Sequence, residues 1–113
     1  MFKIQGQHSV SWPVVVKIPA NGGRFTKAEF QADFLMIDQE RIDAIMNAPE
    51  IPTSIDVTFL SEVVVGFANV QGEDGSELSF SKEALGVLLG IPYVRSAMID
   101  AFFACVSGGR RKN

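Results

Sequence analysis

Three groups of residues hold whatever chemistry this chain can offer: His8 and Cys105, the acidic cluster Glu73, Asp74 and Glu77, and the glycine pairs Gly22-Gly23 and Gly108-Gly109. Nucleophilic catalysis needs a hydroxyl, thiol or amine beside a base that a third group orients. His8 is the one histidine, set in a polar N-terminal stretch with no carboxylate near it in sequence, while Cys105 falls in an apolar helical pattern at the other end of the chain. A thiol–imidazole dyad would have to join a helix core to an N-terminal loop, so Cys105 reads instead as a small buried hydrophobe. The acidic cluster lacks the Asp-x-Asp-x-Asp-Gly register and closing bidentate Glu of a calcium loop, and it reads as a solvated turn. A single cysteine excludes an internal disulfide and cannot build a cysteine zinc site. Neither glycine pair has the strand–loop–helix setting of a phosphate cradle, because Gly22-Gly23 opens a second strand and Gly108-Gly109 follows a helix. The expectation is a protein that is not an enzyme and takes no metal or cofactor.

Composition points the same way. At 113 residues, with 47% hydrophobic residues and a mean hydropathy of +0.19, the chain suits one packed domain over 1–113 and not a disordered segment. No apolar run approaches the roughly 18 residues that span a bilayer, and the start MFKIQGQHS lacks the apolar region of a signal peptide, so the expected location is cytoplasmic with no membrane partner. Net charge is −3, unevenly spread: Arg110, Arg111 and Lys112 are three of the ten basic residues, and the other seven face 13 acidic ones, leaving −6 on the body. An acidic body is a poor nucleic-acid surface, since phosphate binding needs basic groups along a face.

The elements that would position these residues follow from periodicity. Ser9 to Ile18 is β-branched and aromatic, with Trp12, Val14, Val16 and Ile18 on one side of a period-2 pattern. Pro13 cannot donate to a ladder, so this strand belongs on an edge or begins after the proline. Asn21-Gly22 signals a hairpin turn. Thr26, Ala28, Phe30, Ala32, Phe34 and Met36 then alternate with polar residues, broken only by Leu35, which predicts a second strand with one wet face and a helix across the other. The hairpin strands are expected over about 9–18 and 24–36.

Helices are expected over about 39–47, 54–67, 82–89 and 92–107. Asp38 suits the cap of the first, with Ile42, Ile45 and Met46 on its face, and Thr53 or Ser54 the cap of the second. In that second helix Ile55, Phe59, Leu60, Val63, Val64 and Phe67 share one stripe; because Val63 to Val65 are β-branched, a strand over Glu62–Phe67 is the alternative. Asp74-Gly75 turns the chain, Ser81 caps the third helix with Glu83 in its first turn, and Gly90 fits a left-handed C-terminal cap. Phe67 and Phe80, either side of the turn, are expected as core anchors that set the angle between helices. Pro92 suits the first position of the last helix, where Tyr93, Val94, Ala97, Met98, Ala101, Phe102, Cys105 and Val106 form a stripe. The class is α+β: an N-terminal antiparallel hairpin packed on a bundle of about four helices, with a flexible basic tail at 108–113.

Ile99 and Phe103 lie outside that last stripe, one turn apart and near Arg95. Either the helix is buried on two sides, or this is a second, exposed face for a partner or another subunit. Arg110, Arg111 and Lys112 likewise read either as a solubilising end that suits the helix dipole or as a contact for an acidic partner.

Taken in order, the hairpin WPVVVKIP-turn-F-x-A-x-F, Val64-Val65-Gly66-Phe67 with Val70, the turn Glu73-Asp74-Gly75, Leu78-x-Phe80-Ser81-x-Glu83-x-Leu85, Pro92 before an alanine- and aromatic-rich helix, and the ending Arg111-Lys112-Asn113 resemble the tail assembly chaperones of long-tailed bacteriophages. Phe67 departs from the tryptophan common there but keeps an aromatic anchor. The resemblance implies a non-catalytic protein of the infected host's cytoplasm, absent from the mature virion. Its partner would be the tape-measure protein, kept soluble while the tail tube polymerises. It also implies contact with the tail-tube protein through a frameshifted longer form, which Lys112-Asn113 permits, and it leaves room for a homo-oligomer. Ile99, Phe103, Met98 and Met46 are the apolar side chains expected to meet the tape-measure helix, with Arg95 beside them. The alternative is a structural virion component, such as a head–tail connector or tail-terminator subunit.

Overall fold

The structure, a computed structural model, describes residues 1–4, 6, 8–46 and 52–107. The alternating N-terminal pattern folds as an antiparallel hairpin of β1 (Ser9–Ala20) and β2 (Arg24–Leu35), in register from Ser9 opposite Leu35 to Ala20 opposite Arg24. Its turn needs left-handed backbone at Gly22 (φ 77°) and Gly23 (φ 75°), which glycine adopts without a Cβ clash. β1 is an edge strand of a three-stranded sheet ordered β1-β2-β3, so Pro13 sits where a missing donor costs least. Along β1 only Val14 and Val16 are fully withdrawn from solvent, flanked by half-buried Trp12 and Ile18; on β2 the buried positions are Phe30, Ala32 and Phe34.

The second helix departs from expectation. After α1 (Gln39–Met46), whose Arg41 amide donates to the capping Asp38 carboxylate at 2.9 Å, α2 runs Pro52–Val63 and stops. Val64–Ala68 is a third strand, β3, paired antiparallel with β2, so the helix expected to reach 67 ends four residues earlier. Pairing with β2 supplies a ladder that the helical phase cannot, and the β-branched Val63 to Val65 run favours it. A register shift between Asp33 and Phe34 bulges the ladder, which lets Val64 and Phe67 both face the core while Val65 is 44% exposed. Gly66 lies under the Asp33 carboxyl, so close that a Cβ there would fall 2.5 Å from Oδ2. Thr53 and Ser54 fall in the first turn of α2, not ahead of it, since the helix begins at Pro52.

From β3 the chain makes a small hairpin around the acidic turn. Leu78 donates its amide to Val70 (2.7 Å), Gly75 takes φ 85°, and Asp74 Oδ1 accepts from both the Ser76 hydroxyl (2.7 Å) and its amide (3.0 Å). Ser81 then caps α3 (Lys82–Leu89), accepting from the Ala84 amide at 3.0 Å. Gly90 is right-handed (φ −75°), not the left-handed cap expected: its amide closes on Gly86 and Val87, and the chain goes straight on to Pro92 at the start of α4 (Pro92–Val106). α3 and α4 turn through 105°.

α4 lies against β1, and one core joins it to the inner face of the sheet and to α2 and α3. Phe34, Phe59, Phe102, Leu60, Leu85 and Met98 are among its fully buried side chains. The class is α+β, with a three-stranded antiparallel sheet and four α-helices among the described residues. Among the described residues no single helix is long and apolar enough to cross a membrane. The tail at 108–113, with Arg110, Arg111 and Lys112, lies outside the described residues, as do Asn47 and the side chains of Ile42, Ile45, Met46 and Ile55.

Candidate partner-binding surface

α4 presents two neighbouring stripes. Val94, Met98, Ala101 and Phe102 are buried against the sheet and α2, which places Met98 (0% exposed) in the core and removes it from any contact surface. Tyr93 and Val106, at the ends of the expected apolar stripe, are 38% and 37% exposed. Arg95, Ile99, Phe103 and Val106 follow one another at helical spacing on the adjoining face. Arg95 and Ile99 are half-buried, with Ile99 packed on the edge of the core. Phe103 is 36% exposed.

Its ring is nevertheless fixed. Phe103 stacks on the buried Phe59 of α2 with centroids 5.7 Å apart and planes 8° from parallel, and meets Phe102 edge-on at 5.5 Å. Phe102 in turn contacts Phe59 at 4.9 Å and Phe34 at 5.5 Å, both edge to face. A four-ring chain therefore runs from β2 through the core to the surface, and Phe103 is its outermost member. One face of that ring is held by the stack on Phe59, and about a third of the residue still meets solvent, as does Val106 a turn further on. Ile99 thus belongs to the rim of the core, and Phe103 lies at the surface, seated on that core.

The fold also assembles features that lie apart in sequence. An apolar groove of about 240 Å³ opens between the hairpin, the segment after β3 and the α3–α4 corner, lined by Val16, Ile18, Phe30, Val70, Leu88 and Tyr93 among others. It arises because the strands outrun their helical cover, a tertiary mismatch that no local pattern signals. A second depression, of about 700 Å³, collects His8, Asp38, Arg41 and Glu62. The chain's one histidine thus lines the same depression as two carboxylates, and each polar group there is already engaged: His8 Nδ1 with the Gly6 carbonyl (3.0 Å), Asp38 with the α1 amide, and Arg41 with Glu62 (2.7 Å). The pair joins α1 to α2 across an exposed seam, where such bridges contribute little.

The remaining candidates are likewise tied into the fold. Asp74 is held below the ordinary carboxylate range, chiefly by the Ser76 hydroxyl and then by its amide. Its Oδ1 closes the turn. Cys105 is half-buried, and burial pushes its thiol above the ordinary value, which disfavours the thiolate a nucleophile needs. Among the described residues no three His, Cys, Asp or Glu side chains group closely enough to hold a metal ion. Phe67 and Phe80 meet edge to face at 5.3 Å; Phe67 is a strand residue, so the pair ties β3 to the entry of α3 and does not join two helices. Comparison with protein families, with curated proteins and with solved structures finds no match to this chain.

Proposed function

We propose that the chain is a non-catalytic tail assembly chaperone of a long-tailed bacteriophage, which acts in the infected cell by holding the apolar, helical tape-measure protein soluble while tail-tube subunits assemble. The ordered motifs from the Trp12 hairpin to the Pro92 helix suggest the family, and the observation that carries the binding role is Phe103. A ring stacked on a core phenylalanine loses little freedom when a partner covers its outer face, which is the property of an interface anchor. With Val106 beside it, it suits an apolar stripe on a partner helix. Co-expression of the chain with the long helical tape-measure protein that this reading expects to be encoded downstream of it, followed by pull-down, tests the reading. The wild type should retain the helical protein in the soluble fraction, and Phe103→Ser should release most of it while keeping the far-ultraviolet dichroism of the wild type. Failure of the wild-type chain to retain it would overturn the proposal, as would stoichiometric recovery of the chain from purified particles, which belongs to the structural virion reading.

A further inference from the structure

The helices cover one face of the sheet, and the other face has a segregated charge pattern. Lys17 and Lys27 stand directly opposite each other in the β1–β2 register near the hairpin turn; both are exposed, and neither is paired with a carboxylate of a described residue. Like charges so placed work against strand pairing. On the same face β2 carries Glu29 and then Asp33 toward the base of the sheet, so one end of the face is positive and the other negative. Between them Val15 is 49% exposed, with Pro13 beside it in the open.

We propose that this open face is a homodimer interface, in which two copies pack sheet on sheet with antiparallel strands, about a two-fold axis crossing the strands between Glu29 and Gln31. Lys27 and Asp33 are six residues apart, about 20 Å along a strand, and that axis lies midway between them. The operation therefore lays Lys27 of each copy over Asp33 of the other, with Lys17 close enough to share the same carboxylate. At the centre Val15 packs against the second copy's Pro13, and Phe25, 63% exposed, covers its Leu35. The other face-to-face arrangement, with strands parallel, would stack four lysines together, so charge selects the antiparallel one. Two strands of 12 residues with the shorter β3 beside them offer roughly 500 Å² of face per copy, about 1,000 Å² in all, at the lower bound for specific association. The dimer is accordingly a reversible one, and it leaves Phe103, which points away on the helical side of the sheet, free.

Sedimentation equilibrium on the purified full chain tests this without any tape-measure protein, so its outcome is independent of the function proposed above. The expected result is a monomer–dimer equilibrium that weakens as salt is added. Lys27→Glu should raise the dissociation constant by about tenfold, and Lys27→Glu combined with Asp33→Lys should recover part of that loss, since the swapped charges face each other again while the unchanged Lys17 meets the introduced lysine. Val15→Asp should leave only monomer. Circular dichroism establishes that each variant is folded; where Asp33→Lys disturbs the close approach over Gly66, Lys27→Glu and Val15→Asp alone decide. A wild-type chain that stays monomeric at every concentration, or an oligomer indifferent to Lys27→Glu, overturns the proposal.

Discussion

Replacing Phe103 with alanine separates a surface anchor from a core residue, and the structure sets the size of the effect. Full truncation of a buried phenylalanine costs about 3–5 kcal/mol. Phe103 keeps 36% of its surface in solvent, so close to two-thirds of that cost applies, about 2–3 kcal/mol including the stack on Phe59. Phe102→Ala, at 0% exposure and with ring contacts to Phe34, Phe59 and Phe103, should lose the whole range. A chain of this length has on the order of 6–17 kcal/mol of folding stability, so Phe103→Ala remains folded at room temperature while its Tm falls by on the order of 10 °C. Urea unfolding of both variants beside the wild type gives the two losses on one scale. Equal losses would refute the reasoning by making Phe103 a core residue. A loss below about 0.5 kcal/mol for Phe103→Ala would refute it from the other side, because the stack on Phe59 would then hold nothing.

Two further expectations follow from the second half of the chain. Ser81→Ala removes the acceptor of the Ala84 amide and should cost about 1 kcal/mol, read by thermal unfolding; no change would mean that water replaces the cap without penalty. Ser76→Ala should raise the titration midpoint of Asp74, followed by NMR of its carboxyl, toward the ordinary aspartate value. Because the folded value is depressed, the stabilisation that Asp74 gives the turn is present above the unfolded value near 3.8 and is lost as pH falls through the lower folded value, so the turn should loosen only in acid below that point.

Much of the architecture was legible locally. The period-2 run from Trp12 to Ile18, the Asn21-Gly22 turn, the caps Asp38 and Ser81 and the Pro92 start all fold as their chemistry dictates. β3 was hidden because Val64 and Phe67 keep the helical phase of Phe59, Leu60 and Val63, so periodicity continued where the structure changed; only the three consecutive valines indicated a strand. What decides the matter is the free edge of β2, whose partner lies some thirty residues away and leaves no mark on the local pattern. Gly90 misled for a similar reason, since α3 hands over to α4 within two residues and needs no left-handed reversal. Of the candidate surface, spacing located Phe103 beside the core stripe, but its exposure depended on where α2 would put Phe59.

The junction between α2 and β3 sets a limit on length variation. Val63 closes the helix and Val64 opens the strand, with both side chains buried and no residue between them. One inserted residue would turn the helix by about 100° relative to the strand or move every β3 side chain to the opposite face of the sheet. Either shift would expose Leu60 and Val63 or Val64 and Phe67. A change of length around Glu73 to Gly75 would disturb only the turn that Asp74 and Ser76 close, but at Val63-Val64 the length is fixed by two geometries that must be satisfied at once.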